Sequence, residues 1–365
     1  MKKLIYTFMM ALSLAVLSSC DSDDTYVPNP DNPSYSTGAF FLTQGNYTHV
    51  PGGLFALDYA TNKMAPNVFQ AVNGISLGDT PQCGVCYGSK IYIGVSASNV
   101  IFVLNKSDFK MISQIRLAGH NNGQQPRSMV AHNGKVYISM YDGYVNRMDT
   151  TTLVIDASVK VGPNPEIMAI YKNKLYVPNS DGMSWPNYGN TASVIDLDSF
   201  VGNSTQMNVS ATITVPLNPA QFITTDNALY LLAKGNYGDI PSKLYKIDGI
   251  NITEIAEATI VAASGNKVYY INQPYIDNKP APAQYRIYDE ATGKSSEWKV
   301  QPVDYANNIA IDQLGGRIFI SSFVMDGVYP SYTAAGYVNE YNLKTAFVRK
   351  YEIGAGPACI FFDRK

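Results

Sequence analysis

The chain has 365 residues, 46% of them hydrophobic and only 15% charged, and its 27 Lys and Arg against 29 Asp and Glu leave a formal net charge of −2. A soluble domain carries about 25% charged residues, so this composition excludes an acidic or basic disordered tail, a coiled coil and a long-helix bundle. With no surplus of positive charge there is no broad field to hold a phosphate backbone, and nucleic acid is not an expected partner.

Lys2 and Lys3 precede an uncharged, mostly apolar stretch from Leu4 to Leu17. That is too short for the roughly 20 residues that span a bilayer as a helix, and residues 1–19 read as a signal peptide. The stretch ends in Leu17-Ser18-Ser19-Cys20, which resembles the lipobox of bacterial lipoproteins. Cys20 is therefore the expected lipidation site; the other reading is a short membrane anchor that happens to contain a cysteine. The acidic run Asp21-Ser22-Asp23-Asp24 resembles the signal that directs Bacteroidetes lipoproteins to the outer face of the outer membrane, or else is a solvated spacer. Thr25 to Ser36 (TYVPNPDNPSYS) holds three prolines and no core-forming run. Residues 20–36 thus read as a lipidated, extended tether, and the folded body as residues 37–365.

Within the body one phrase recurs: a turn residue, then a strand with a central aromatic. The copies are GSKIYIGV, NGKVYISM, KNKLYVPN, DNALYLLA, GNKVYYIN and GGRIFISS, with a degenerate first copy in GAFFLTQG. The aligned aromatics are Phe41, Tyr92, Tyr137, Tyr176, Tyr230, Tyr269 and Phe319, spaced 39 to 54 residues apart. Inside each copy the hydrophobic period is two, as strands require. The third copy reads as strands over Arg127–His132, Lys135–Met140, Tyr144–Asp149 and Ile155–Val161, with tight turns at Asn133-Gly134 and Asp142-Gly143. Four short antiparallel strands per repeat of this length make a β-propeller blade, and no stretch after residue 36 reads as an amphipathic helix. The C-terminal Gly356-Pro357-Ala358-Cys359-Ile360-Phe361-Phe362 matches the first strand of a repeat but has no repeat after it, whereas the first copy begins at its second strand. The expected fold is all-β: a seven-bladed propeller, with six or eight blades as the margin, closed by the C-terminal strand completing the first blade.

In a propeller the loops between second and third strands share one face with the loops that connect successive blades. The first set reads as short in blades 2 and 3 and long elsewhere: QGNYTHVPGG, NSDGMSWPNYGNTA, KGNYGDIPS, NQPYIDNKPAPAQ and FVMDGVYPSYTAAG. These carry Tyr47, Trp185, Tyr188, Tyr237, Tyr275, Tyr329 and Tyr332. Turn geometry calls for Gly, Pro, Asn and Asp and not for aromatic rings. Rings there either hold a large, flat, partly apolar ligand or protein surface, or pack back on the loop bases. The inter-blade loops bring Gln82, Arg127, Glu166, Gln221 and Asn308 towards the channel mouth, either for an amide- and phosphate-rich ligand or for loop backbone and channel water.

Other constellations are weak. Cys83 and Cys86 are three apart in an innermost strand and so point to opposite faces; with Cys359, they read as buried free thiols rather than a zinc or redox site. His132 falls beside the Asn133-Gly134 turn and reads as exposed, and His49 and His120 fall in loops. No triad order, zinc motif or recurring acidic position is present, so no catalytic residue, metal or cofactor is assigned, and the protein is not expected to be an enzyme.

Over residues 37–365, phrases such as NVFQAVNGISLGDTPQ, the NGKVYI copies and VGPNPE resemble the YncE-like, surface-layer-type propeller lipoproteins of Bacteroidetes. Within that group the nearest functional analogy is the BtuG surface lipoproteins, which capture vitamin B12 on TonB-dependent transporters. The resemblance implies a non-catalytic, outer-membrane surface lipoprotein that binds cobalamin or a related corrinoid as cargo, not cofactor, and passes it to a TonB-dependent transporter. Two other readings stay open: a propeller lyase or hydrolase acting on glycans or small molecules, for which Glu166 with a neighbouring Tyr is the one acid–base pair available, and a protein-binding scaffold.

Overall fold

The computed structural model describes residues 30–31, 35–46, 50–118, 122–197 and 206–365. They form seven four-stranded antiparallel sheets, the blades of a β-propeller. Blades 2 to 7 take their strands consecutively, and their innermost strands are Pro81–Tyr87, Pro126–His132, Ala169–Tyr171, Pro219–Thr224, Ile260–Ser264 and Tyr305–Asp312. The strands of blade 3 end within one residue of those read from alternation. Its first turn has φ of 47° at Asn133 and 74° at Gly134. Two positive φ values match the twist of a tight hairpin, and Asn-Gly tolerates both.

Blade 1 is closed by the two ends of the chain. Pro357–Arg364 pairs with Ser36–Asn46, which pairs in turn with Val50–Asp58 and then the short Lys63–Ala65. At the centre of the seam Phe40 faces Phe361, Phe41 faces Ile360 and Leu42 faces Cys359. The seam between blades 7 and 1 is pinned by Asp312, fully buried, which accepts from the Ser36 hydroxyl at 2.8 Å and the Tyr59 hydroxyl at 2.8 Å.

Because each sheet is covered on both faces, alternate residues of one strand serve two junctions. Seven apolar clusters result among the described residues, one at each blade junction. Ile91 and Ile93 face blade 1, and Tyr92 between them faces blade 3. The cysteines follow the same rule: Cys83 packs towards blade 3, and Cys86 and Cys359 pack towards the junction of blades 1 and 2. All three are free thiols. Burial raises their thiols, that of Cys359 to about 11.

The structure corrects four expectations. The first repeat is out of register by one: the residue opposite the fifth position of the inner strand is Tyr92 in blade 2 and Tyr137 in blade 3, but Phe40 in blade 1. The Phe40-Phe41 doublet offers an aromatic in either register, and a one-residue slip exchanges the faces. The presumed long loop of blade 1 is largely strand, paired out to Asn46 and Val50. A six-residue helix, Val68–Asn73, follows blade 1 and buries Phe69 against Phe102 at 4.9 Å between centroids; one turn and a half is too short to show a helical period. His132 is half-buried, with Nε2 at 2.8 Å from the Asn173 side chain of blade 4.

Candidate functional site

A cavity of about 850 Å³ opens at the channel mouth, on the side of blades 3 to 7. Its place follows from an irregularity in blade 4, whose inner strand is only three residues long. Just before it, Pro165 and Glu166 still pair with the blade 4 strand Lys174–Asn179, but Ile167 turns to blade 5: its N–H donates to the Ala220 carbonyl at 3.1 Å, and its carbonyl accepts from the Phe222 N–H at 2.9 Å. Ile167 lines the cavity at 40% exposure, and the neighbouring Glu166, held to blade 4 by its N–H, reaches blade 3 with its carboxylate.

Arg127 Nε donates to Glu166 Oε2 at 2.7 Å, and its guanidinium lies 5.5 Å from the centre of the Tyr141 ring. Burial pushes the Glu166 carboxyl up even though Arg127 favours its charged form. Blade 5 adds Lys234, which directly follows its second strand Leu229–Ala233. Burial lowers this ammonium to about 8, with the Glu166 charge acting in the opposite sense. Blade 6 supplies Asn272, Gln273 and Tyr275, and blade 7 supplies Tyr305, Asn307 and Asn308. Two of these amides serve the closing strand: Asn307 donates to the Pro357 carbonyl, and Asn308 to the Ala358 carbonyl at 3.3 Å. The rim is apolar and aromatic, with Ile240, Ile276, Tyr275 and Tyr237 all exposed, the last by 72%.

Of the side chains expected at the site, Arg127, Glu166, Gln221, Tyr237, Tyr275 and Asn308 line this one cavity. Gln82 does not; its carbonyl oxygen accepts from Gln44 at 2.7 Å on the opposite side of the ring. Trp185 stands outside at 74% exposure, and Tyr329 lies in a small hairpin of the blade 7 loop. Tyr188 packs edge-on against Tyr237 at 5.8 Å, and Tyr332 against Phe323 at 5.2 Å, so these two rings support the loops. Tyr47, His49, His120 and Cys20, with its acidic run, lie outside the described residues.

Sequence reasoning missed Lys234, Gln273 and Tyr305. A signal for the first two existed in the repeats. The residue that follows the second strand is Ser96, Tyr141, Ser180 or Lys234 in blades 2 to 5, and each donates its N–H to the equivalent linker carbonyl, at Thr80, Gln125, Asn164 or Asn218. Gln273 holds the same place in blade 6. Reading down that column would have put one cation at the mouth.

No family model matches the chain, and no curated protein matches it. Among solved structures it is similar to hydrazine synthase of Kuenenia stuttgartiensis, with a TM-score of 0.59 and 15% identity over 76% of this chain and 88% of that one. It is also similar to apo AztD of Citrobacter koseri, with a TM-score of 0.53 and 10% identity over 90% and 98% of the two chains. At such identities the likeness is one of fold alone, and the class it defines is the β-propeller.

Proposed function

We propose that this protein is a non-catalytic capture protein, tethered by a lipid at Cys20 to the outer face of the outer membrane. Its cargo is a corrinoid, cobalamin or a close relative, which it passes to a TonB-dependent transporter. The observation that carries the reading is the off-centre cavity of about 850 Å³, with amides on its floor and aromatic and aliphatic side chains on its rim. Pockets for small ligands commonly measure about 300–1,000 Å³. A corrinoid is a wide, flat ring fringed with amides; it would sit across such a mouth, its ring on the rim and its amides towards Gln221, Asn272 and Asn308. The sequence resemblance and the surface-type address support the same reading. The engagement of Glu166 by Arg127 weighs against the lyase or hydrolase alternative, since a general acid or base must be free to exchange a proton with substrate.

Titration calorimetry of the purified protein with cyanocobalamin tests this. Saturable heat is expected, and nanomolar affinity corresponds to about −12 kcal/mol. Tyr237→Ala and Tyr275→Ala should each weaken binding by about 1 to 3 kcal/mol, as for aromatic anchors, and Tyr237→Ala should leave the melting temperature unchanged. Absence of heat with any corrinoid would overturn the reading and bring the enzyme and scaffold alternatives forward.

A further inference from the structure

One cation in the cavity is left without a counter-charge by the fold. The Lys234 ammonium donates to the Thr259 carbonyl at 2.6 Å, forms no salt bridge with a described carboxylate, and has no second acceptor among the described residues. Glu166, the carboxylate that acts on it, is already bound to Arg127. The cavity's other carboxylate, Glu257, is exposed and acts on Lys243 instead.

The donors around Lys234 are in the same position. Thr259, in the linker between blades 5 and 6, holds two of them together: its carbonyl takes Lys234, and its hydroxyl oxygen accepts the Gln273 backbone N–H at 3.0 Å. Gln273 is buried, at 8% exposure, and its Oε1 accepts from the Ala306 N–H at 3.3 Å. That bond fixes the side-chain NH₂ as the end with no acceptor among the described residues. Gln221, which pairs across the ladder with Leu232, also lines the cavity, and no described residue accepts from its side-chain amide. A partly buried cation with a single protein acceptor thus shares the cavity with two amide donors that no described residue takes up, and an anion would supply the acceptor all three lack.

We propose that Lys234, Gln273 and Gln221 form an anion subsite that takes a phosphate-ester or carboxylate group of the cavity's ligand. The inference rests on the cavity being the binding site, as proposed above, and does not require that ligand to be a corrinoid.

Phenyl phosphate and benzoate, with benzamide as the uncharged control, are titrated against the full-length protein by ligand-observed NMR at pH 7. At least one anion should bind about tenfold tighter than benzamide, the effect of a single charge-assisted hydrogen bond, and the better of the two tells phosphate from carboxylate. Lys234→Met, which keeps the apolar stem, should remove the preference, and Lys234→Arg should retain most of it. Equal binding of all three probes, or a preference that survives in Lys234→Met, would overturn the subsite. A second readout avoids mutation: the titration of Lys234, followed after reductive methylation, should move to higher pH when the anion is bound, and an unmoved titration would count against the subsite. Cyanocobalamin run on the same proteins separates the two claims. Corrinoid heat with no anion preference overturns this inference alone, and an anion preference without corrinoid heat overturns the corrinoid reading alone.

Discussion

Lys234 carries a burial cost that pH can remove. Its ammonium has an ordinary value of 10.5 in the unfolded chain and about 8 in the fold. Between those values the unfolded chain holds the proton and the folded protein does not, so stability rises with pH across that window; below pH 8 both states are charged and the full cost is present. Lys234→Met should therefore be more stable than wild type at pH 7, and the gap should close as pH rises towards 10.5. Arg127 is common to both proteins, whereas Glu166 loses the Lys234 charge in the variant, which raises its carboxyl further and opposes part of the gain. Urea unfolding at pH 7, 8 and 10 measures it, and a gap independent of pH would mean that the ammonium is well hydrated. Tyr92 poses the opposite problem. Its ring is fully buried between blades 2 and 3, and its hydroxyl has no hydrogen-bond partner among the described residues. Tyr92→Phe should stabilise the protein by about 1 kcal/mol, the cost of an unsatisfied buried hydroxyl, whereas Tyr92→Ala should destabilise it by about 3 to 5 kcal/mol through the cavity it leaves.

The closing strand Pro357–Arg364 shows how much one element carries. It gives blade 1 its innermost strand, and its Phe361 ring fills the space beside Gly84 of blade 2 so closely that a Cβ there would lie 2.5 Å from the ring. Truncation after Gly356 should abolish cooperative unfolding, because it opens the seam at Phe40–Leu42 and exposes apolar faces on both sides; an unchanged melting transition would refute the closure as described. Gly84→Ala is the milder test. Overpacking against Phe361 should cost about 1 to 3 kcal/mol, with no effect on ligand binding at the far side of the ring.

On the scale of the whole molecule, Asp31 and Tyr35, described residues that precede the first blade, lie on the face opposite the cavity. Asp31 accepts from the Tyr87 hydroxyl at 3.1 Å and the Asn133 N–H at 3.1 Å, both at turns between first and second strands, and Tyr35 pairs with Lys365 beyond them. The cavity is built at the other ends of those strands. Protein immobilised through a tag placed before Asp31 should accordingly bind its ligand as tightly as free protein does, and a large loss on immobilisation would contradict this placement. In cells, Cys20→Ala should release the protein from the membrane fraction, and Ala at Asp21, Asp23 and Asp24 together should leave it lipidated but shielded from external protease. Full protease access in the triple variant would discard the surface signal.

The blades were legible because they are local. Alternation of period two, the Asn133-Gly134 turn and the recurrence of NGKVYI-like phrases are properties of residues adjacent in sequence, and the unmatched strand at Pro357 left one way to close the ring. The register of blade 1 was not legible, since Phe40 and Phe41 satisfy the pattern equally and only packing against blades 2 and 7 separates them. The cavity was half legible: Arg127, Glu166, Gln221, Tyr237, Tyr275 and Asn308 could be nominated as mouth residues from their places in the repeats. Their convergence on one side of the mouth, with Ile167 turned from blade 4 to blade 5 among them, is announced by no pattern. Lys234 shows why. Its neighbours in sequence, Ala233 and Gly235, say nothing of burial or charge, and what gives the ammonium its meaning is Glu166 from blade 4, Gln273 from blade 6 and Thr259 from the linker between blades 5 and 6. The sequence determined the repeating unit and its closure, because strand pairing is driven by local periodicity; the tertiary structure alone decided the site, because a cavity at a propeller mouth is made from residues whose only proximity is in space.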